Sequence, residues 1–168
     1  MTPLRARLVL ADCEIALADF NASASASAKQ FMRPRWVSLI TLLRAVGHVL
    51  NKVDRPEVGN AVEIRIDAAW ERLRNVARPH IFHDFVEAER NDTVKQYEIS
   101  AAANPRIHGA STLQGAPLYV SHVPGAATLS AFSMSDGPYE GRDPQQLARE
   151  AIEFWRNYLE AVEPEAKG

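Results

Sequence analysis

The sequence predicts a mainly α-helical bundle of four to five helices with a small β-hairpin insertion near residues 117–134. Three observations carry this reading. Apolar residues recur every three to four positions through most of the chain. Helix start signals bracket several of those stretches, most sharply at Asp143-Pro144. From about residue 104 the composition turns to Gly, Pro, Ser and Thr, and two β-prone runs, 118–123 and 128–134, flank the turn signal Pro124-Gly125. The 168 residues suit one domain, 1–168, with a flexible stretch at 22–30, a hairpin and loop region at 104–142 and a frayed tail at 163–168.

The first helix runs over about 4–21. Val9, Cys13, Ala16, Leu17 and Phe20 form one stripe, and Arg5, Arg7, Asp12 and Asp19 lie largely off it. Cys13 therefore belongs to the core, with nothing basic beside it in sequence to lower its pKa. As the one cysteine, it excludes an internal disulfide framework and fits a reducing cytosol. Residues 22–28 alternate Ala and Ser, poor strand formers, and read as a frayed helix end or connector.

Residues 31–54 form the most hydrophobic helix, with Pro34 suited to its first turn. Its apolar residues, from Trp36 to Val53, cover more than half the circumference, so it is expected at the centre of the bundle. Gly47 costs about 1 kcal/mol against alanine in a helix, which a close helix crossing offsets. His48 reads as an interior or boundary histidine rather than a ligand. Residues 61–76 carry both a strand-like alternation (Val62, Ile64, Ile66) and a helical stripe (Ile66, Ala69, Trp70, Leu73, Val76); length favours the helix. The last helix is capped by Asp143, has Pro144 in first position and completes a capping box with Gln146. Its buried face is Ala148, Ala151, Ile152, Trp155, Leu159 and Val162.

Apolar residues make up 46% and charged residues 24% of the chain, an ordinary globular balance. A net charge of −2 gives no global reason to expect a polyanion partner. No segment looks like an export signal or a membrane span: Asp12 and Glu14 interrupt the apolar run at 8–10. The run at 36–50 contains Arg44 and His48 and is shorter than the roughly 20 residues a bilayer needs. A soluble cytoplasmic protein with no membrane partner is expected. No cofactor or metal is expected either. There is no phosphate-binding glycine loop, Gly-x-Ser-x-Gly, His-Glu-x-x-His or Cys-x-x-Cys, and His108 and His122 lack a second ligand at metal-binding spacing.

The remaining chemistry lies at 79–98. Pro79 suits a first helical position, and Phe82, Val86, Val94 and Tyr97, with Phe85, form an apolar stripe. Arg90 falls within that stripe. A guanidinium is costly to bury unpaired, so Arg90 is expected either to meet a carboxylate or to line a polar slot. His83, Glu87, Asn91 and Lys95 share one row; as a solvated face, Glu87 and Asn91 would simply support Lys95.

Residues 89–95, Glu-Arg-Asn-Asp-Thr-Val-Lys on a helix of a helical chain, resemble the signature of the HEPN superfamily. The resemblance implies an all-α bundle, often dimeric, of the kind found in toxin–antitoxin and antiviral systems, many of whose members are metal-independent endoribonucleases. The signature is an Arg, usually a polar residue next, and a His a few positions on. Arg90 and Asn91 match the first two; Lys95 stands where the His could fall. Metal-free RNA cleavage needs a group that takes the 2′-hydroxyl proton near neutral pH, which imidazole does and lysine ordinarily does not. His83 is the candidate replacement base. The expected function is a non-catalytic or weakly active HEPN-like interaction module in a bacterial stress or defence setting. It would be a homodimer with the key helices near the two-fold axis, meeting an RNA or a protein partner. The alternatives are an active ribonuclease using Arg90, Asn91 and Lys95 or His83, and a structural or assembly protein of a mobile element with Arg90 in a buried ion pair.

Overall fold

The computed structural model describes residues 3–24, 29–78, 80–102, 106–108, 128–130 and 132–163, the two short strands 106–108 and 128–130 by their backbone. The fold is mainly helical, with five α-helices and small antiparallel pairings, as the sequence predicts. The helices are α1 (Arg5–Ala22), α2 (Met32–Val49), α3 (Asn60–Arg74), α4 (Ala88–Lys95) and α5 (Pro144–Val162). A π-helical turn, Leu50–Asp54, extends α2, and a π-helical stretch, Ile81–Glu87, leads straight into α4.

α2 is the central helix. It packs on α1, α4, α5 and the π-helical stretch. Trp36, Leu39, Ile40, Leu43, Val46 and Leu50 are buried, while Val37, Leu42, Val49 and Val53 are partly covered on other sides. Gly47 lets α5 approach: a Cβ at this position would lie 2.6 Å from Cη2 of Trp155. His48 is exposed, a correction to the interior or boundary position expected for it. Phe20 joins Trp36 and Phe132 at ring distances of 4.8 and 5.1 Å, and Phe82 meets Trp155 at 5.3 Å, so aromatic contacts tie α1 to α2 and the π-helical stretch to α5.

The first turn of α1 has no local cap, because Leu4 stands at the N-cap position. Asp54 supplies one from the end of α2. Its two carboxylate oxygens accept from the amides of Arg5 and Ala6, each at 2.9 Å. Two orphan donors are satisfied, and negative charge sits at the positive end of the helix. Asp54 is buried by this arrangement. Cys13 packs in the core, and burial pushes its thiol up to about 12.

Pro79 lies outside the described residues, and the cap of the key helix is His80. The helix favoured over 61–76 is present as Asn60–Arg74, with Ile64 exposed. Thr128–Ser130 pairs with Arg106–His108, and Ser133–Met134 with Ala101–Ala102; the run at 118–123 and its turn lie outside the described residues, as does His122. Asp143 caps α5 by accepting from the amide of Gln145 at 2.8 Å, but the capping box is half formed: Gln146 reaches forward to Glu150 at 3.2 Å. No described helix is long and apolar enough to cross a membrane.

Candidate functional site

The key helix starts with a reciprocal cap. His80 Nδ1 accepts from the amide of Phe82 at 3.2 Å, and the amide of His80 donates to Asp84 Oδ2 at 2.7 Å. Arg78 donates to Asp84 Oδ1 at 2.7 Å. Burial pushes the Asp84 carboxyl up, but the His80 amide and the Arg78 guanidinium outweigh it and hold it below the usual carboxylate range. Burial, with His83 beside it, holds the His80 ring below the usual histidine range against the pull of Asp84.

His83 lies one turn further, wedged between two acceptors. Its Nε2 is 2.8 Å from the carbonyl of Leu73, and its Nδ1 is 3.2 Å from Glu87 Oε2. Glu87 in turn lies 3.6 Å from Arg44. The Leu73 carbonyl only accepts, so Nε2 donates to it. Nδ1 is turned to the Glu87 carboxylate, so both ring nitrogens are engaged within the chain. His83 thus fastens the key helix to the end of α3.

Arg90 is half-buried. Its Nη1 donates to Asn91 Oδ1 at 3.2 Å, and no carboxylate among the described residues lies within 4 Å of it. Lys95 is exposed in the last turn of α4. Five residues separate it from Arg90, which places the two about 140° apart around a helix. The structure therefore joins Arg90 to Asn91 and His83 to Glu87, but does not gather the four candidates at one point.

The apolar stripe is also corrected. Val94 is 56% and Tyr97 71% exposed, whereas Glu89 and Thr93 are buried. The buried face runs Phe82, Phe85, Val86, Glu89, Thr93, the regular spacing of an α-helical face. Glu89, only 4% exposed, is the buried ionisable group of this helix. Its Oε1 accepts from the indole N–H of Trp36 at 2.7 Å and the amide of Ser100 at 2.8 Å. The signal was available: Glu89 stands seven residues after Phe82, in phase with the stripe, while Arg90 stands at its edge.

Glu89 opens onto a cleft of about 240 Å³, also lined by Asp84, Asp92, Asp136 and Tyr139. A second cleft of about 280 Å³ shares Asp92, Ser100 and Asp136 with it and adds Arg33 and Glu98. At its edge Tyr97 takes a left-handed backbone conformation, φ 57°, with the Arg33 guanidinium 4.3 Å above its ring and bonded to its carbonyl. Between α3 and α5 lies a third, mostly apolar cleft of about 360 Å³, lined among others by Leu73, His80, Phe154 and Tyr158. Burial pushes the Tyr158 phenol up to about 12. Among the described residues no group of three or more His, Cys, Asp or Glu is placed to hold a metal ion. The acid-rich clefts beside α4 repel a phosphate backbone, and Arg90 lines none of these three clefts. No family model matches the chain, and neither a curated protein nor a solved structure matches it.

Proposed function

We propose that this chain is a HEPN-like interaction module without ribonuclease activity, acting as a homodimer in a bacterial stress or defence setting. The observation that supports it most is the engagement of the candidate replacement base: both ring nitrogens of His83 are taken up within the chain, by the Leu73 carbonyl and the Glu87 carboxylate. Arg90 keeps a half-buried guanidinium with a neutral amide as its partner, a group suited to an anionic side chain or phosphate brought by another molecule. A structural protein with Arg90 in a buried ion pair is the less favoured reading, because no described carboxylate reaches it.

Structured and single-stranded RNA incubated with excess protein in chelator is expected to stay intact. Cleavage that Arg90→Ala abolishes would overturn the non-catalytic reading and restore the nuclease. Anisotropy of a labelled single-stranded RNA, measured with the wild type and Arg90→Ala at two salt concentrations, separates the two kinds of partner. Tight binding lost on substitution identifies RNA; no binding points to a protein.

A further inference from the structure

We infer that the homodimer forms through the outward face of α1, with the two α1 helices antiparallel across a two-fold axis. The inference rests on the reading above for the expectation of a second copy; the surface is argued from α1 itself. It moves the axis away from the key helix.

α1 carries two apolar stripes. The inner one, Ala6, Leu10, Cys13, Leu17 and Phe20, is buried in the bundle. The outer one, Leu8, Ala11, Ile15 and Ala18, is exposed along its whole length. Leu8 is 65% and Ile15 64% exposed. A single exposed leucine is ordinary. Four residues spaced three, four and three apart form the a/d seam of a helix pair.

The seam is self-complementary in one direction. Run antiparallel, Leu8 of one copy faces Ala18 of the other, and Ala11 faces Ile15. All four layers then hold one large and one small side chain, so the helices approach evenly. Run parallel, Leu8 meets Leu8 and Ala11 meets Ala11, which leaves gaps between bulky layers. Charge bears on the choice too. Arg5 flanks the start of the seam and Asp19 its end, so the antiparallel pair sets Arg5 against Asp19 twice, while the parallel pair sets Asp19 against Glu14 and Asp12 against Arg7. Arg5 has one exposed partner of its own, Glu57 at 3.2 Å. Near the axis Asp12 faces Asp12 and Glu14 faces Glu14. Glu14 shares Arg156 of its own chain, at 2.8 Å, with Glu153, so the Glu14 pair and the Asp12 pair both oppose association. A seam about 15 Å long between two helices falls short of the ~1,200 Å² at which interfaces become stable, so the dimer dissociates on dilution.

Sedimentation of the full chain is expected to show a monomer–dimer equilibrium over ~1–200 µM, the micromolar range. Ile15→Glu and Leu8→Glu should each abolish the dimer with unchanged circular dichroism, and with an unchanged melting temperature at concentrations where the wild type is monomeric, since both sites face solvent. Val94→Glu, exposed on α4, should leave it intact. Mixing Leu8→Cys with Ala18→Cys under oxidised glutathione should cross-link the two chains, while Leu8→Cys alone should not; the native Cys13 is buried. A monomer at every concentration would overturn both the seam and the homodimeric part of the proposed function. A dimer that survives Ile15→Glu would overturn the seam alone. Cross-linking of Leu8→Cys to itself would overturn the antiparallel arrangement.

Discussion

The indole N–H of Trp36 donates to Glu89 Oε1 at 2.7 Å, tying α2 to α4 inside the core. The amide of Ser100 donates to the same oxygen. Glu89→Leu would strand both donors, and each buried unmet donor costs about 1–3 kcal/mol. A loss of roughly 2–6 kcal/mol is expected, read from urea unfolding followed by tryptophan fluorescence. Glu89→Gln keeps a carbonyl acceptor and should lose less than half as much. Equal losses for the two variants would show that packing, not the shared acceptor, holds this site.

Asp54 should behave as a helix cap although it is distant in sequence. Asp54→Ala is expected to destabilise by about 2 kcal/mol, the upper end for N-caps, because two amides lose their partner. In native-state hydrogen exchange the amides of Arg5 and Ala6 should lose protection selectively. Unchanged protection there would refute the cap.

Gly47→Ala gains about 1 kcal/mol in helix propensity but drives a methyl into Trp155. Overpacking of this kind costs about 1–3 kcal/mol. A net loss is expected, and Trp155→Phe should relieve it, so the double variant falls short of the sum of the singles in a denaturation cycle.

Thr93 is buried, and its hydroxyl lacks a hydrogen-bond partner among the described residues. Thr93→Val keeps the shape and removes the unmet group. A gain of about 1 kcal/mol is expected, or a melting temperature raised by about 2–4 °C. A drop instead would mean the hydroxyl is satisfied in solution.

His80 and Asp84 set the acid limit of the key helix. Both hold fewer protons folded than unfolded, since both are shifted below their usual ranges. Stability from His80 is present above the unfolded value, roughly 6.5, and is lost as pH falls through it to the lower folded value. Asp84 adds a second loss as pH falls below roughly 3.9. His80→Asn keeps a good cap and should flatten the stability curve between about pH 7 and 5. An unchanged slope would assign that pH dependence elsewhere.

The sequence made legible whatever depends on local spacing. Trp155, Leu159 and Val162 announce the face of α5, and Gly47 announces a close crossing that Trp155 fills. Phase was harder. Choosing Val94 and Tyr97 over Glu89 and Thr93 rotated the key helix, because hydrophobicity alone does not reveal that a carboxylate meets two donors from α2 and Ser100. The motif pair Arg90–Asn91 was readable as neighbours; that His83 is bound to the carbonyl of Leu73 was not, since no pattern links a side chain to a backbone oxygen ten residues back.

The carboxylate that closes α1 is made late. Asp54 follows Arg5 by 49 residues, which on a ribosome is roughly 2–10 s of synthesis. For that interval the nascent helix must leave its leading amides to water or to whatever chaperone meets it at the exit tunnel. Slowing translation after the first turn has left the exit tunnel, and before Asp54 itself emerges, should therefore lengthen the window in which proteases cut within that turn, while slowing it once Asp54 is outside should not.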